Sequence, residues 1–373
     1  MPAENEATTL SQRRERAGKR WFFGSCITLF VVAGVFAGAL IVWGIRVPMP
    51  APPRRAVPVP NGFDACSDVY AGVPTTPAIL LIRGKTPAVS AVRAGLQPYH
   101  KALESLHAAL LLPYETPPSR IEGVGVFAQP AGARNMGRVL AAEVWLRNRD
   151  GDHDRAMAAA LDGVDLAAST PRGGGGLHAL VGIALLHIAA PGIRATVPHL
   201  SAGEAARAGE RLDGILRDLP ALSEIIAAER YISLIEASRM TGGATWLRAW
   251  MYRDLERQYQ HWLAEAPQPA SRRRPAARPW TPVAQIIAQT MPGIWQKWDA
   301  ATAEFRLLRL HLALHEFRRA HGRYPADLRA LRLKAPGVTS SPLTGAPFSY
   351  QPSEQRNSYL LERQTEWAAE RSE

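Results

Sequence analysis

The sequence predicts a mainly all-α protein: an N-terminal transmembrane helix, an irregular domain of helical hairpins and a small C-terminal β-hairpin. Three observations carry that expectation. Apolar residues recur at helical spacing between capping signals from about residue 86 to residue 320. One run near the N-terminus, WFFGSCITLFVVAGVFAGALIVWGI, Trp21 to Ile45, holds no charge. Strand-like residues bounded by turn formers gather only near the end, in SPLTGAPFSY and SYLLERQ.

The whole chain sets the limits. Its 373 residues exceed one typical domain, and 47% hydrophobic with 21% charged residues is a balance that can bury a core, which excludes wholesale disorder. The net charge is +11, but Arg supplies nearly all of the Lys and Arg and is spread along every segment. No basic stripe with interleaved stacking aromatics appears, so no nucleic-acid partner is expected.

Residues 1–20 read as a cytoplasmic tail and 21–45 as the transmembrane helix. At 1.5 Å rise per residue the apolar run spans ~38 Å, enough to cross a hydrocarbon core of ~30 Å with some tilt. Trp21 and Trp43 lie near its two ends, where amphipathic rings prefer the interface. Arg13, Arg14, Arg16, Lys19 and Arg20 precede it, and only Arg46, Arg54 and Arg55 follow closely. That asymmetry predicts a single-pass protein of the bacterial inner (cytoplasmic) membrane, N-terminus in, with the bulk in the periplasm or outside. The run is too long for a cleaved signal peptide and no small-x-small site closes it, so an uncleaved anchor is expected. The bilayer is then a partner through residues 21–45. Cys26 falls within the anchor and Cys66 stands alone beyond it, so the exported part can form no internal disulfide.

Residues 46–60 hold six prolines in VPMPAPPRRAVPVP and read as a stiff spacer. Residues 61–265 form the extracytoplasmic helical domain. Thr86-Pro87 reads as an N-cap with proline at the first helical position, and Tyr99 to Leu112 carries Leu103, Leu106 and Leu110 on one face until Pro113 ends it. RVLAAEVWLRN and DHDRAMAAALDGVDLAA form an αα-hairpin whose facing stripes are Val139, Ala142, Leu146 and Ala156, Ala160, Val164, Ala167. Leu177 to Ala190 is apolar nearly all round and reads as the most buried helix, too short at that length to span a membrane. Ser201 and Glu204 make a capping box, Pro220 separates helices over about 202–218 and 221–240, and another runs over about 245–265. Residues 266–282, rich in Pro and Arg without apolar period, read as a solvated linker or long loop.

Residues 283–373 form a long helix plus hairpin module. The helix over about 295–320 stops at HGRYP because Gly322 can take the left-handed conformation of a C-terminal cap and Pro325 bars continuation. A short helix follows in PADLRAL, then strands over 347–351 and 358–363. This C-terminal portion of about 60 residues resembles the tail of type II secretion pseudopilins, in which a helix, an H/N-G-x-Y-P turn, a short helix and a D-P-x-x-G-x-P-x-x-Y hairpin follow one another. Ser341 stands where that pattern has an aspartate that helps hold calcium, and the anchor lacks the pseudopilin processing signal. More broadly, NGFD, RVLAAEVWLRNRDGDHDRAM, LHALVGIAL, AAERYISL, HGRYPADLRAL and SPLTGAPFSY occur in an order similar to that of an uncharacterised family of bacterial single-pass membrane-anchored helical proteins. That resemblance implies an architecture and no activity.

Candidate chemistry is sparse. DGDHD, Asp150 to Asp154, places carboxylates at positions 1, 3 and 5 of a calcium loop but has Arg155 and Leu161 where glycine and glutamate are needed, so a helix-capping turn is expected. GGGG, Gly173 to Gly176, precedes a helix without the Lys-Ser/Thr of a P-loop or a preceding strand, and reads as a flexible interhelix loop. Glu304, His311 and His315 fall within about 40° of one another on one helix and are the candidate metal ligands, against the alternative of hydrogen-bonded histidines in a helix interface. No cofactor is expected. The reading that follows is a non-enzymatic envelope scaffold or interaction module whose partners are other envelope proteins. Its alternatives are an accessory of a pseudopilin-like secretion system and a metal-dependent enzyme.

Overall fold

The computed structural model describes residues 34–35, 38–39, 56–72, 88–120, 128–241, 245–331, 333–335, 337–353 and 358–362, with backbone alone at 128–130, 241 and 245–246. Within the expected anchor only Gly34, Val35, Gly38 and Ala39 are described, all helical and exposed; the rest of that helix, the cytoplasmic tail and Thr86-Pro87 lie outside the described residues. The architecture is mainly α with one antiparallel hairpin at the C-terminal end.

From residue 56 on the helices are α1 (Gly62–Ala71), α2 (Val89–Leu96), α3 (His100–Leu110), α4 (Ala128–Arg149), α5 (His153–Ser169), α6 (Gly176–Thr196), α7 (Ala202–Arg217), α8 (Leu222–Thr241), α9 (Thr245–Glu265) and α10 (Pro282–His321). Strands β1 (Ser349–Pro352) and β2 (Tyr359–Glu362) pair with Tyr350 opposite Leu361. Helices α4, α5 and α6 pack on one another; α7 packs on α5 and α10, α10 also packs on α6, α8 packs on α9 with both touching α10, and α1 packs on α3 and α4.

Most local expectations hold for the physical reasons that suggested them. Both stripes of the α4–α5 hairpin are buried, Val139, Ala142, Ala156, Val164 and Ala167 down to the last percent. Small side chains on α5 admit that close approach. Asp152 caps α5 by accepting the Arg155 backbone N–H, which settles DGDHD as a turn. Ser201 and Glu204 form the reciprocal capping box of α7. Gly322 sits at φ 72°, and its N–H donates to the Arg318 carbonyl at 2.8 Å, closing α10.

Three expectations need correction. Helix α6 does not stop at Ala190. It runs through Pro191 to Thr196, and with the following 3-10 turn it is 24 residues long, long and apolar enough to cross a membrane by length and composition alone. Pro191 is tolerated because it lies on the exposed side, and the carbonyl it leaves without a helical donor belongs to the exposed His187. Since 61% of that apolar window is buried inside the fold, α6 is its core helix. Helix α10 likewise starts at Pro282, with Thr281 as N-cap, and passes the exposed Pro292 to span 40 residues, ~60 Å. The third correction concerns 266–282, which is no free linker. Its backbone donates from Ala270 and Ser271 to Pro342 and Leu343, its Arg273 grips the buried Asp299, and Asp254 of α9 receives the Trp280 and Thr281 N–H groups. It is a docked strap. Composition could not reveal this, since each anchor lies well away in sequence.

The two apolar arcs of α10 serve two cores. Phe305, Leu308 and Leu312 belong to the main core, whereas Leu307, Leu310 and Leu314 join Tyr324, Leu328, Val338 and Phe348 in a smaller one beneath the C-terminal module. The long helix is therefore what ties the module to the body.

Candidate functional site

The stripe between those two arcs does not assemble a metal site. Glu304 is ion-paired with Arg194 from the end of α6. His311 Nδ1 shares a 2.5 Å hydrogen bond with the Tyr359 hydroxyl of β2, and His315 Nε2 donates to the Leu200 carbonyl at 2.9 Å. Each candidate ligand is thus engaged by a different element, and among the described residues no three His, Cys, Asp or Glu groups converge to hold a metal. The correction is physical: helical spacing puts three side chains on one stripe, but each turns toward the nearest partner on the element packed against it.

Those partners enclose a cleft of about 620 Å³. Its floor is the last three turns of α10, where His311, His315, Arg318, Arg319 and Gly322 follow at helical spacing on one face. One wall is the end of α6 and its 3-10 turn, with Arg194, Val197 and Pro198; the other is Tyr324 after the helix and Tyr359 from β2. The Gly322 cap turns the chain so that Tyr324 lies over the helix end, and Tyr324 meets Tyr359 edge to face at 4.7 Å.

The lining is cationic. Arg194, Arg318 and Arg319 border the cleft, and no carboxylate does so among the described residues. Arg318 stands 5.1 Å over the Tyr324 ring, and Arg319 donates one Nη2 to the Pro198 carbonyl at 3.1 Å. A guanidinium has five N–H donors, so each keeps donors for a ligand. The C-terminal end of α10 contributes about half a negative charge and Glu304 a whole one, which leaves the three guanidinium groups in excess. Burial, helped by the Arg194 charge, lowers His311 to about 4, and burial also lowers His315, so both are neutral hydrogen-bonding groups at pH 7. Burial raises Tyr359, which keeps its proton as a donor. The arrangement suits a carboxylate or another anion held bidentately, with aromatic rings bounding the apolar side.

Arg318 and Arg319 were legible as neighbours of the histidines on the helix face. Arg194 and Tyr359 carried no sequence signal, being separated from the stripe by a hundred residues or by the hairpin. The GGGG loop is already filled. Gly175 packs so closely on Glu229 that a Cβ would fall 2.3 Å from its Oε2, and that carboxylate accepts the Gly176 N–H at 2.8 Å. The protein's own Glu229 carboxyl group, its pKa raised by burial, occupies the α6 N-terminus, and the loop is packed where a flexible one was expected. Cys66 is free and buried, and burial pushes its thiol up to about 12, so it is unreactive.

No protein-family model, no curated protein and no solved structure matches this chain.

Proposed function

We propose that this chain is a membrane-anchored, extracytoplasmic helical interaction module of the bacterial cell envelope, non-enzymatic, which receives a carboxylate-bearing segment of another envelope protein in the cleft beneath its HGRYP turn. The observation that carries the reading is the cleft lining: three arginines, two neutral histidines and two tyrosines, with no carboxylate among the described residues. Arginine forks bind carboxylates bidentately and are favoured at interfaces. The uncharged run from Trp21 to Ile45, basic on its N-terminal side, supports the anchor and its orientation in the inner membrane.

The test uses the full chain in nanodiscs of zwitterionic lipid with a hexaglutamate peptide as probe. Binding should weaken as salt rises, and the double variant Arg318→Glu, Arg319→Glu should lose at least tenfold in affinity. Both side chains are exposed, so the fold should survive. A peptide affinity indifferent to that variant would rule out the cleft as the docking site.

A second reading, an accessory of a pseudopilin-like secretion system, has its own support. In SPLTGAPFSY, the Ser341 hydroxyl accepts the Leu343 N–H at 3.2 Å, the Gly345 N–H donates to the Ser341 carbonyl at 2.7 Å, and Ser340 bridges Pro347. The loop thus keeps a tight turn with serine in the aspartate's place. Deleting the chromosomal copy should leave protein secretion intact on the first reading and impair it on the second.

A further inference from the structure

Helices α8, α9 and the start of α10 come together at one end of the molecule. Arg230 with Glu256 and Ser233 with Tyr259, each at 2.7 Å, set the register of the α8–α9 hairpin, and Met240 and Trp250 lie beyond those pairs toward its connection. Asp254, one turn after Trp250, receives the Trp280 and Thr281 N–H groups at 2.7 Å, which places the first turn of α10 there as well. This end leaves Met240 69%, Ile286 62%, Trp280 57% and Trp250 38% exposed. Singly such side chains are ordinary, but gathered ones mark a protein or membrane contact.

The same end is basic. Residues 230–257 and 278–290 hold six arginines against three carboxylates. Each carboxylate is already held by an arginine, Glu236 by Arg239, Asp254 by Arg257 and Glu256 by Arg230, so the positive excess falls to Arg248, Arg253 and Arg278. Arg257 also stands 4.0 Å over the Trp280 ring and donates to the Arg278 carbonyl at 3.0 Å, which fixes an exposed indole beside guanidinium groups. Indole rings next to basic side chains suit the headgroup region of an anionic bilayer, which offers an amphipathic ring both apolar and wet surroundings.

The path of the chain points the same way. Helices α6 and α10 run in one direction, since a Cβ on Gly176 would touch Met291 and Ile294, Arg194 pairs with Glu304, and the Leu200 carbonyl accepts from His315. The first turns of α10 therefore project past the start of α6. The expected spacer joins the fold beside that start: Asn61 donates to the Glu115 carbonyl at 2.9 Å, and the Thr116 N–H donates to the Arg172 carbonyl at 3.0 Å. An anchor joined there holds this end near lipid, so that even a weak contact is populated.

We infer that the end formed by α8, α9 and the start of α10 rests on the bilayer surface as a second, peripheral membrane contact. Trp250, Trp280 and Ile286 enter the headgroup layer, and the arginines meet anionic headgroups. The inference rests on the membrane-anchored reading, and it turns the cleft near the other end of α10 away from the lipid, toward partners.

The experiment attaches an environment-sensitive fluorophore to single cysteines of the full chain in nanodiscs, in a Cys26→Ser background, since Cys66 is buried. Three positions are compared: Val35→Cys in the expected anchor, Ile286→Cys at this end, and Leu360→Cys in β2, which is exposed near the other end of α10. In phosphatidylglycerol discs, nitroxide-bearing lipids should quench the labels at positions 35 and 286 and spare the one at 360. Arg253→Glu combined with Arg278→Glu, or exchange of phosphatidylglycerol for phosphatidylcholine, should reduce the quenching at 286 about twofold or more. Quenching at 35 without quenching at 286 would overturn the inference and leave the anchored reading standing. Quenching at 286 without quenching at 35 would remove the anchor and keep the lipid contact. Quenching at neither, equal quenching at 286 and 360, or quenching at 286 indifferent to both charge changes would each overturn the inference. Shielding of 286 in lipid-free micelles that grows with protein concentration would overturn it too, by assigning the face to a second copy of the chain.

Discussion

Arg309 and Asp213 face each other across the α7–α10 contact as a bidentate ion pair, Nε to Oδ1 2.8 Å and Nη2 to Oδ2 3.0 Å, with both side chains at least 95% buried. A charge pair so far from water contributes less than its Coulomb attraction suggests, because both ions have lost their hydration. Breaking it is another matter. Asp213→Ala strands a buried guanidinium and should cost about 3–5 kcal/mol, while Asp213→Leu combined with Arg309→Met should recover most of that loss. Denaturant unfolding of the solubilised full chain measures both. A single variant within 1 kcal/mol of wild type, on the order of an exposed pair, would show that the pair is hydrated.

Gly322 offers a cleaner backbone test. At φ 72° a side chain is strained by its own backbone, and a Cβ there would meet no atom within 4 Å, so no packing clash confuses the result. Gly322→Val should cost about 1–2 kcal/mol, and Gly322→Asn distinctly less. Equal melting temperatures for the valine variant and wild type would refute the cap.

The neutral His311 predicts a pH dependence. Its pKa is about 4 in the folded chain against 6.5 for the free side chain. Between those values the unfolded chain binds a proton that the folded chain does not, so stability rises with pH. It is therefore lost as pH falls from about 6.5 to about 4 and levels off below. With the ring only partly buried the loss is about 2 kcal/mol. His311→Asn should flatten the profile in that window, read as melting temperature against pH. A profile of the same slope in the variant would assign the dependence to other groups.

Topology can be tested without knowing any partner. A reporter active only after export, fused after Glu373, should be active, as the positive charges before Trp21 require. Activity of a cytoplasmic reporter at the same point would remove the envelope assignment and the proposed partners with it.

Along α10 the faces follow from local helical geometry, whereas the partners of those faces come from distant elements. The two arcs, Phe305, Leu308, Leu312 and Leu307, Leu310, Leu314, were legible because helical geometry alone decides which side chains share a face, and each arc found its own core. Glu304, His311 and His315 were legible as a stripe for the same reason. Their roles were not, because Arg194, Tyr359 and Leu200 reach them from elements far along the chain. The helices expected over 177–190 and about 295–320 instead extend through Pro191 and Pro292, and both prolines lie on exposed faces.

Local chemistry was thus settled by the sequence: the capping of α5 by Asp152, the box of Ser201 and Glu204, the stop at Gly322, the buried stripes of α4 and α5 and the place of the hairpin all follow from interactions within one or two turns. The tertiary structure alone decided that the Arg- and Pro-rich strap docks, that Glu229 fills the glycine-loop helix end, and that three arginines gather around two neutral histidines. The physical reason is range. Caps and periodic faces involve neighbours in sequence, whereas a buried charge or a ligand cleft depends on whichever distant element happens to supply the compensating group, and one chain read linearly holds no record of that pairing.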